Sequence, residues 1–215
     1  MLSGNNGRQR AVVDNVTNSF DVTWDYLCPF ARNAHEHLVV ALRAGADWDV
    51  HFRYFSLAQA HLEEGSPPVW EDPSGKPGVV AGLAGIVVRE QHPDRFLDAH
   101  LALFTARHDR SQDLRDNQVI ASTLQGIGLD GAAILREALS GWPAERARAE
   151  HEEAVRQWDI FGVPTFIIDG KAVFVRLMDR PDGDAKLAED TIDRVLDLVD
   201  GFPALNEYKF TKIPR

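Results

Sequence analysis

Apolar and polar positions alternate from Phe20 to Trp24 (Phe-Asp-Val-Thr-Trp). With β-prone residues among them, they predict a first strand. A short turn from Asp25 to Cys28 follows, and Pro29 stands where proline is favoured, in the first turn of a helix. Ala34, Leu38, Val39 and Leu42 recur at helical spacing until Gly45 stops the pattern. Alternation returns over Trp48 to Leu57, where Trp48, Val50, Phe52 and Tyr54 share a face. Two strands joined by one helix in so few residues predict a βαβ unit with parallel, neighbouring strands.

From about 58 to 157 the pattern changes. Pro67, Pro68, Pro73 and Pro77 mark a loop, and the chain then reads helical over Val79 to Glu90, Asp94 to Arg107, Asp113 to Leu124, Gly131 to Leu139 and Pro143 to Trp158. Asp113 and Asp130 are expected N-caps, with Gly126-Ile127-Gly128 as a stop. Strand character resumes over Phe161 to Asp169, Asp169-Gly170 is a two-residue hairpin signal, and Ala172 to Leu177 is the partner strand. Asp184 to Val199 is a last amphipathic helix, with Leu187, Ile192, Val195, Leu196 and Val199 on one face. The order β-α-β, helices, β-β-α predicts a small mixed sheet interrupted in sequence by a helical insertion. The expected division is 18–58 with 158–215 as the sheet domain and 59–157 as the insertion. Residues 1 to about 17, rich in Gly, Asn and Arg, are expected to be frayed.

The chain has 215 residues and a net charge of −10, which disfavours nucleic-acid phosphates. One cysteine excludes an internal disulfide and a four-thiolate zinc site. Met1 to Arg10 carries no apolar signal core, and the longest apolar run, Val79 to Val88, is about half of what a bilayer needs. These features set the expectation of a cytoplasmic protein with no membrane or nucleic-acid partner.

Two motifs carry candidate chemistry. Cys28-Pro29-Phe30-Ala31 follows the first strand and opens a helix, and Gly162-Val163-Pro164-Thr165 precedes the hairpin. In this order they resemble the DsbA-like branch of the thioredoxin fold, whose helical domain is inserted before a cis-proline loop. The likeness spans about residues 18 to 213. Trp24-Asp25-Tyr26-Leu27-Cys28-Pro29-Phe30, Phe55-Ser56-Leu57, Gly162-Val163-Pro164-Thr165 and the end Phe202-Pro203-Ala204-Leu205-Asn206-Glu207-Tyr208-Lys209 look closest to the mycothiol-dependent reductase group. That pattern carries a second cysteine where this chain has Ala31, so its dithiol cycle does not transfer. The 2-hydroxychromene-2-carboxylate isomerases and kappa-class glutathione transferases also lack the pair, but usually carry Ser at the first position.

The resemblance implies an α/β thioredoxin fold with Cys28 as the catalytic nucleophile and Asp25, Tyr26, Pro29, Phe30, Val163 and Pro164 as substrate-binding residues. A free thiol has a pKa of about 8.5, and a helix N-terminus, with its unpaired N–H groups and positive dipole end, favours the thiolate. Cys28 is therefore expected to be partly ionised near neutral pH, opposed by Asp25 if that carboxylate turns toward the sulfur. Without a second cysteine, a mixed disulfide on Cys28 must be released by an external thiol. The expected co-substrate is a low-molecular-weight thiol, mycothiol or glutathione, with a small organic or disulfide substrate and no tightly bound cofactor. Two further readings stay open: an isomerase or transferase of the glutathione type, and a non-catalytic binding protein on the same fold; a homodimer is allowed for the protein. Pro164 is expected to be cis, placing Val163 to meet an extended thiol ligand.

His35 and His37 point to different helix faces, and His51 and His61 lie elsewhere, so no metal spacing appears. His35 is about 10 Å along the helix from Cys28, too far for a direct base. His92, His100 and His108 are read as solvated. Gly78, Gly82 and Gly85 suggest close helix–helix packing or the lining of a ligand pocket, with Trp70 and Phe96 nearby or in the core. No Gly-x-Ser-x-Gly, Gly-x-Gly-x-x-Gly or phosphate-loop pattern occurs.

Overall fold

Strand β1 (Ser19–Trp24) lies between a parallel partner, β2 (Asp49–Tyr54), and an antiparallel one, β3 (Thr165–Ile168). Strand β4 (Lys171–Phe174) closes the sheet in the order β2-β1-β3-β4. The computed structural model describes residues 19–207 and 209, so the stretch 1–17, expected to be frayed, and Tyr208 of the C-terminal motif lie outside the described residues. Helix α1 (Pro29–Ala44) makes the crossover from β1 to β2, and α8 (Ala185–Gly201) follows the β3–β4 hairpin. Between β2 and β3 come α2 (Leu57–Ala60), α3 (Val79–Gln91), α4 (Pro93–His108), α5 (Asn117–Gln125), α6 (Gly131–Ala138) and α7 (Trp142–Trp158).

Local chemistry explains most boundaries. Gly45 ends α1 in the left-handed conformation at φ 100°, and its N–H closes on the Ala41 and Leu42 carbonyls. The hairpin turns at Asp169 (φ 48°) and Gly170 (φ 77°), the pair of positive φ values that a two-residue turn of the right twist requires. Several expected bounds are corrected. β2 stops at Tyr54, because Ser56 caps the short helix α2 by accepting from the Gln59 N–H, and Leu57 belongs to that helix. Asp116, not Asp113, caps α5 through the Gln118 N–H. β3 begins only at Thr165 and β4 ends at Phe174. On α8 the buried row is Ala188, Ile192, Val195, Leu196 and Val199, while Leu187 is exposed.

Two apolar clusters hold the layers. The smaller joins Phe20, Val22, Phe166 and Ile168 of the sheet to Ala34 and Leu38 of α1 and Ile192, Leu196 and Val199 of α8. The larger runs from Trp24, Tyr54 and Cys28 into the inserted helices without a break. Its centre is α3, buried continuously from Val79 to Val88, as expected of a helix apolar on all sides. Its glycines do not pack helix on helix. A Cβ at Gly82 would stand 2.3 Å from Tyr54 Cζ, and one at Gly85 would stand 2.6 Å from both Trp24 Cη2 and the Tyr26 hydroxyl. The helix therefore rests on the aromatic rings at the ends of the strands. The outer edge of β2 is also closed by side chains: Arg89 donates to the Phe52 carbonyl (2.6 Å) and the Tyr54 N–H donates to Glu150 (2.7 Å), the two side chains themselves being paired at 2.6 Å.

Candidate active site

Cys28 is the N-cap of α1, with extended backbone (φ −86°, ψ 119°) ahead of Pro29. Its sulfur accepts from the Ala31 N–H at 3.4 Å, taking one of the donors that a helix start leaves free. Its S–H donates to the Val163 carbonyl at 3.1 Å across the site. A sulfur that donates is a thiol, and its surroundings agree: Cys28 is only 7% exposed, and burial pushes its pKa up. The Ala31 and Phe30 N–H groups and the Arg176 charge pull the other way, the Asp25 charge adds to the rise, and the balance stays upward. The expectation of a sulfur partly ionised at neutral pH is thus corrected. Desolvation, which depends on tertiary packing, outweighs the helix N-terminus.

The Val163–Pro164 peptide bond is cis, and both residues are buried. Their loop is tied to β1 and to itself, since the Thr165 N–H donates to Thr23 Oγ1 (2.9 Å) and the Thr165 hydroxyl to the Gly162 carbonyl (2.8 Å). Pro29 is exposed and Phe30 half-buried.

Asp25 and Tyr26, expected to touch substrate, face inward with no exposed surface. The Asp25 carboxylate accepts from the N–H groups of Leu27 and Leu57, both at 2.8 Å, and so pins the segment after β2 to the turn before Cys28. Burial raises its pKa to about 6 against those hydrogen bonds. The Tyr26 carbonyl accepts from His108 Nε2 (2.9 Å), and its hydroxyl meets His100 Nδ1 at 3.1 Å.

His100, read from sequence as solvated, is fully buried, as is His35. His100 Nε2 lies 2.9 Å from His35 Nδ1, and His35 Nε2 lies 3.1 Å from the Thr23 carbonyl. Burial depresses both pKa values, that of His35 to about 4, so both rings are neutral near pH 7. A carbonyl can only accept. His35 Nε2 must therefore carry the proton, its Nδ1 must accept from His100 Nε2–H, and His100 Nδ1 must accept from the tyrosine hydroxyl. The chain runs one way, Tyr26 to His100 to His35 to Thr23, and ties α4 to α1 and β1.

Arg176 and Asn33 went unnoticed in the sequence. The Arg176 guanidinium stands 5.6 Å from the ring centre of Phe30 and 5.5 Å from that of Phe174, and Phe161, 70% exposed, packs on Phe174 at 5.2 Å. Asn33 Nδ2 donates to the Leu177 carbonyl at 2.9 Å. A period-two reading of 172–177 places Phe174 and Arg176 on one face, and that is the signal that could have found the arginine. Among the described residues no group of three or more His, Cys, Asp or Glu could hold a metal, and no helix is long and apolar enough to cross a membrane.

A sheet in the order β2-β1-β3-β4, a cysteine capping the helix after β1 and a proline loop against its sulfur define a thioredoxin-type thiol site. The family model of the DSBA-like thioredoxin domain matches residues 20–182, and the chain belongs to that family. Solved structures share the fold. DsbA of Pseudomonas aeruginosa aligns with a TM-score of 0.52 at 22% identity over 82% of this chain and 83% of that one. The cytosolic disulfide reductase DsbM of the same organism, solved with GSH, aligns with 0.58 at 12% over 84% and 100%. A 2-hydroxychromene-2-carboxylate isomerase aligns with 0.57 at 16% over 83% and 96%. At these identities the likeness is one of fold. No curated protein sequence matches the chain.

Proposed function

We propose that this protein is a monothiol oxidoreductase or thiol transferase that uses Cys28 with an external low-molecular-weight thiol, mycothiol or glutathione, in the cytoplasm. The observation that carries the reading is the position of one sulfur, between the Ala31 N–H and the Val163 carbonyl. The Cys28 thiolate would attack one sulfur of a disulfide R–S–S–R. The bond from the Cys28 sulfur to that sulfur forms, the S–S bond of the substrate breaks, and the other half leaves as RS⁻ to take a proton from water. A thiol R′SH, as thiolate, then attacks the R sulfur of the adduct, releasing Cys28 as thiolate and R–S–S–R′. A ligand whose backbone N–H takes the Val163 carbonyl would compete with the Cys28 S–H for that acceptor and leave the sulfur facing the helix amides alone. The structural relative described as a cytosolic disulfide reductase with GSH supports this reading.

Intact mass measured after incubation with oxidised glutathione or oxidised mycothiol tests it. One adduct per chain is expected, lost on adding reduced thiol and absent in Cys28→Ser. Its formation should speed up steadily through pH 9, because the thiol's pKa lies above the ordinary value.

A second reading is favoured by the protonated sulfur itself. A Cys28 S–H that stays protonated can donate to the thiolate of a bound co-substrate, as an isomerase or transferase of the glutathione type would need; a 2-hydroxychromene-2-carboxylate isomerase is among the structural relatives. In that case oxidised thiols leave no adduct, while reduced thiol shields Cys28 from alkylation. If neither adduct nor shielding appears, both readings are rejected.

A further inference from the structure

Cys28 and the proline loop account for the reacting sulfur but not for the rest of a ligand. Beside them stands a cation in an unusual setting. Arg176 lies over two rings, Phe30 and Phe174, with centroid distances of 5.6 and 5.5 Å. Phe30 is two residues past Cys28, and Phe174 pairs in register with Thr165, next to Pro164. The backbone on both sides of the arginine is tethered. The Val175 N–H donates to the Pro164 carbonyl at 3.1 Å, and Asn33 of α1 holds the Leu177 and Met178 carbonyls at 2.9 and 3.2 Å. The guanidinium is thus carried by the proline loop and by the helix that Cys28 begins.

Ring stacking uses the faces of a guanidinium and leaves its in-plane N–H donors for an anion. Among the described residues no carboxylate pairs with Arg176; Glu207 senses its charge but pairs with Lys209. Other arginines in this part of the molecule are committed. Arg32 is paired with Glu36 and Asp109, and Arg180 donates to Glu36. In a chain of net charge −10, an uncommitted, pre-positioned cation beside the thiol is where an anionic ligand gains most.

We propose that Arg176 selects the co-substrate, by taking a carboxylate of the molecule whose sulfur meets Cys28, so that the thiol used is a carboxylate-bearing one of the glutathione class rather than an uncharged sugar thiol. The inference rests on the monothiol reading above. Arg176 touches the ligand away from the reacting atoms and sets specificity rather than bond-making. A bidentate pair gives the carboxylate an orientation as well as affinity.

The test compares second-order rates of adduct formation at Cys28 from oxidised glutathione and from bis(2-hydroxyethyl) disulfide, at fixed pH and ionic strength. The ratio of the two rates removes any change in the nucleophilicity of the sulfur itself. Arg176→Gln should lower that ratio roughly five- to tenfold, and Arg176→Lys should recover only part of it. An unchanged ratio in Arg176→Gln, or a full ratio in Arg176→Lys, would overturn the proposal, the latter because charge alone would then suffice. Both results leave the monothiol reading standing. If the wild-type protein forms no adduct with either disulfide, that reading falls and the clamp with it.

Discussion

Ala31 sits one helical turn beyond Cys28, and the sulfur meets its amide rather than its side chain. Residues three apart on a helix are neighbours, with Cα atoms within the reach of a disulfide. Ala31→Cys should therefore give a second sulfur able to displace an adduct on Cys28. Treatment with oxidised glutathione should then yield a protein two hydrogens lighter in place of one carrying the thiol. A persistent adduct in this variant would mean that the β-carbon at 31, which is fully buried, cannot turn a sulfur toward Cys28. The ionisation of Cys28 was not legible in the sequence, although its place at the start of a helix was. Local pattern gives the amides; the weight of burial comes from Val163, on a segment 135 residues away, and from the packing around it.

At the level of elements, α3 shows what small residues are for when they meet rings. Gly→Ala inside a helix normally stabilises by about 0.5–1 kcal/mol. At Gly82 and Gly85 the added methyl would stand 2.3–2.6 Å from Tyr54, Trp24 and Tyr26 atoms that are themselves buried and cannot swing away. Gly82→Ala and Gly85→Ala should each lose about 1–3 kcal/mol in urea unfolding, whereas Gly126→Ala, whose methyl would meet only backbone at 3.4 Å, should stay within about 1 kcal/mol of wild type. The elements themselves were largely legible. The alternation from Phe20 to Trp24, the Cys-Pro helix start and the Asp-Gly turn are local signals that agree with the final packing. The misses share one cause. Leu57 reads as strand because it continues an apolar run, yet Ser56 turns the chain into α2. His100 reads as surface because nothing near it in sequence shows that α4 buries it among Trp24, Phe52, Phe96 and Phe104.

For the molecule as a whole, buried titratable groups set how it answers to acid. His35 and His151 have native pKa values near 4 against an ordinary 6.5, both chiefly through burial, and His100 is shifted the same way. Between those values the unfolded chain holds a proton that the native rings refuse, so stability is full above pH 6.5 and falls as pH drops toward 4, by about 3 kcal/mol for each of His35 and His151. Asp25 opposes this. Its native pKa of about 6 exceeds the ordinary 3.8, so its ionisation weighs against the fold above pH 6, and about 3 kcal/mol returns on acidification to pH 4. The histidines prevail, and urea midpoints should decline from pH 7 to pH 5. His100→Phe should lower stability at pH 7 by about 2–4 kcal/mol, since it strands the Tyr26 hydroxyl and His35 Nδ1, yet make the decline with acid shallower. An equal slope would contradict a neutral, buried His100. The same array has a second effect. A relay must be able to reset, each link giving up a proton on one side and gaining one on the other. Here the last link is an amide oxygen that holds no proton to pass on, and every ring is locked into one sense by it. The row from Tyr26 to Thr23 is an insulator rather than a wire: it fastens two layers of the protein together and passes no proton between them.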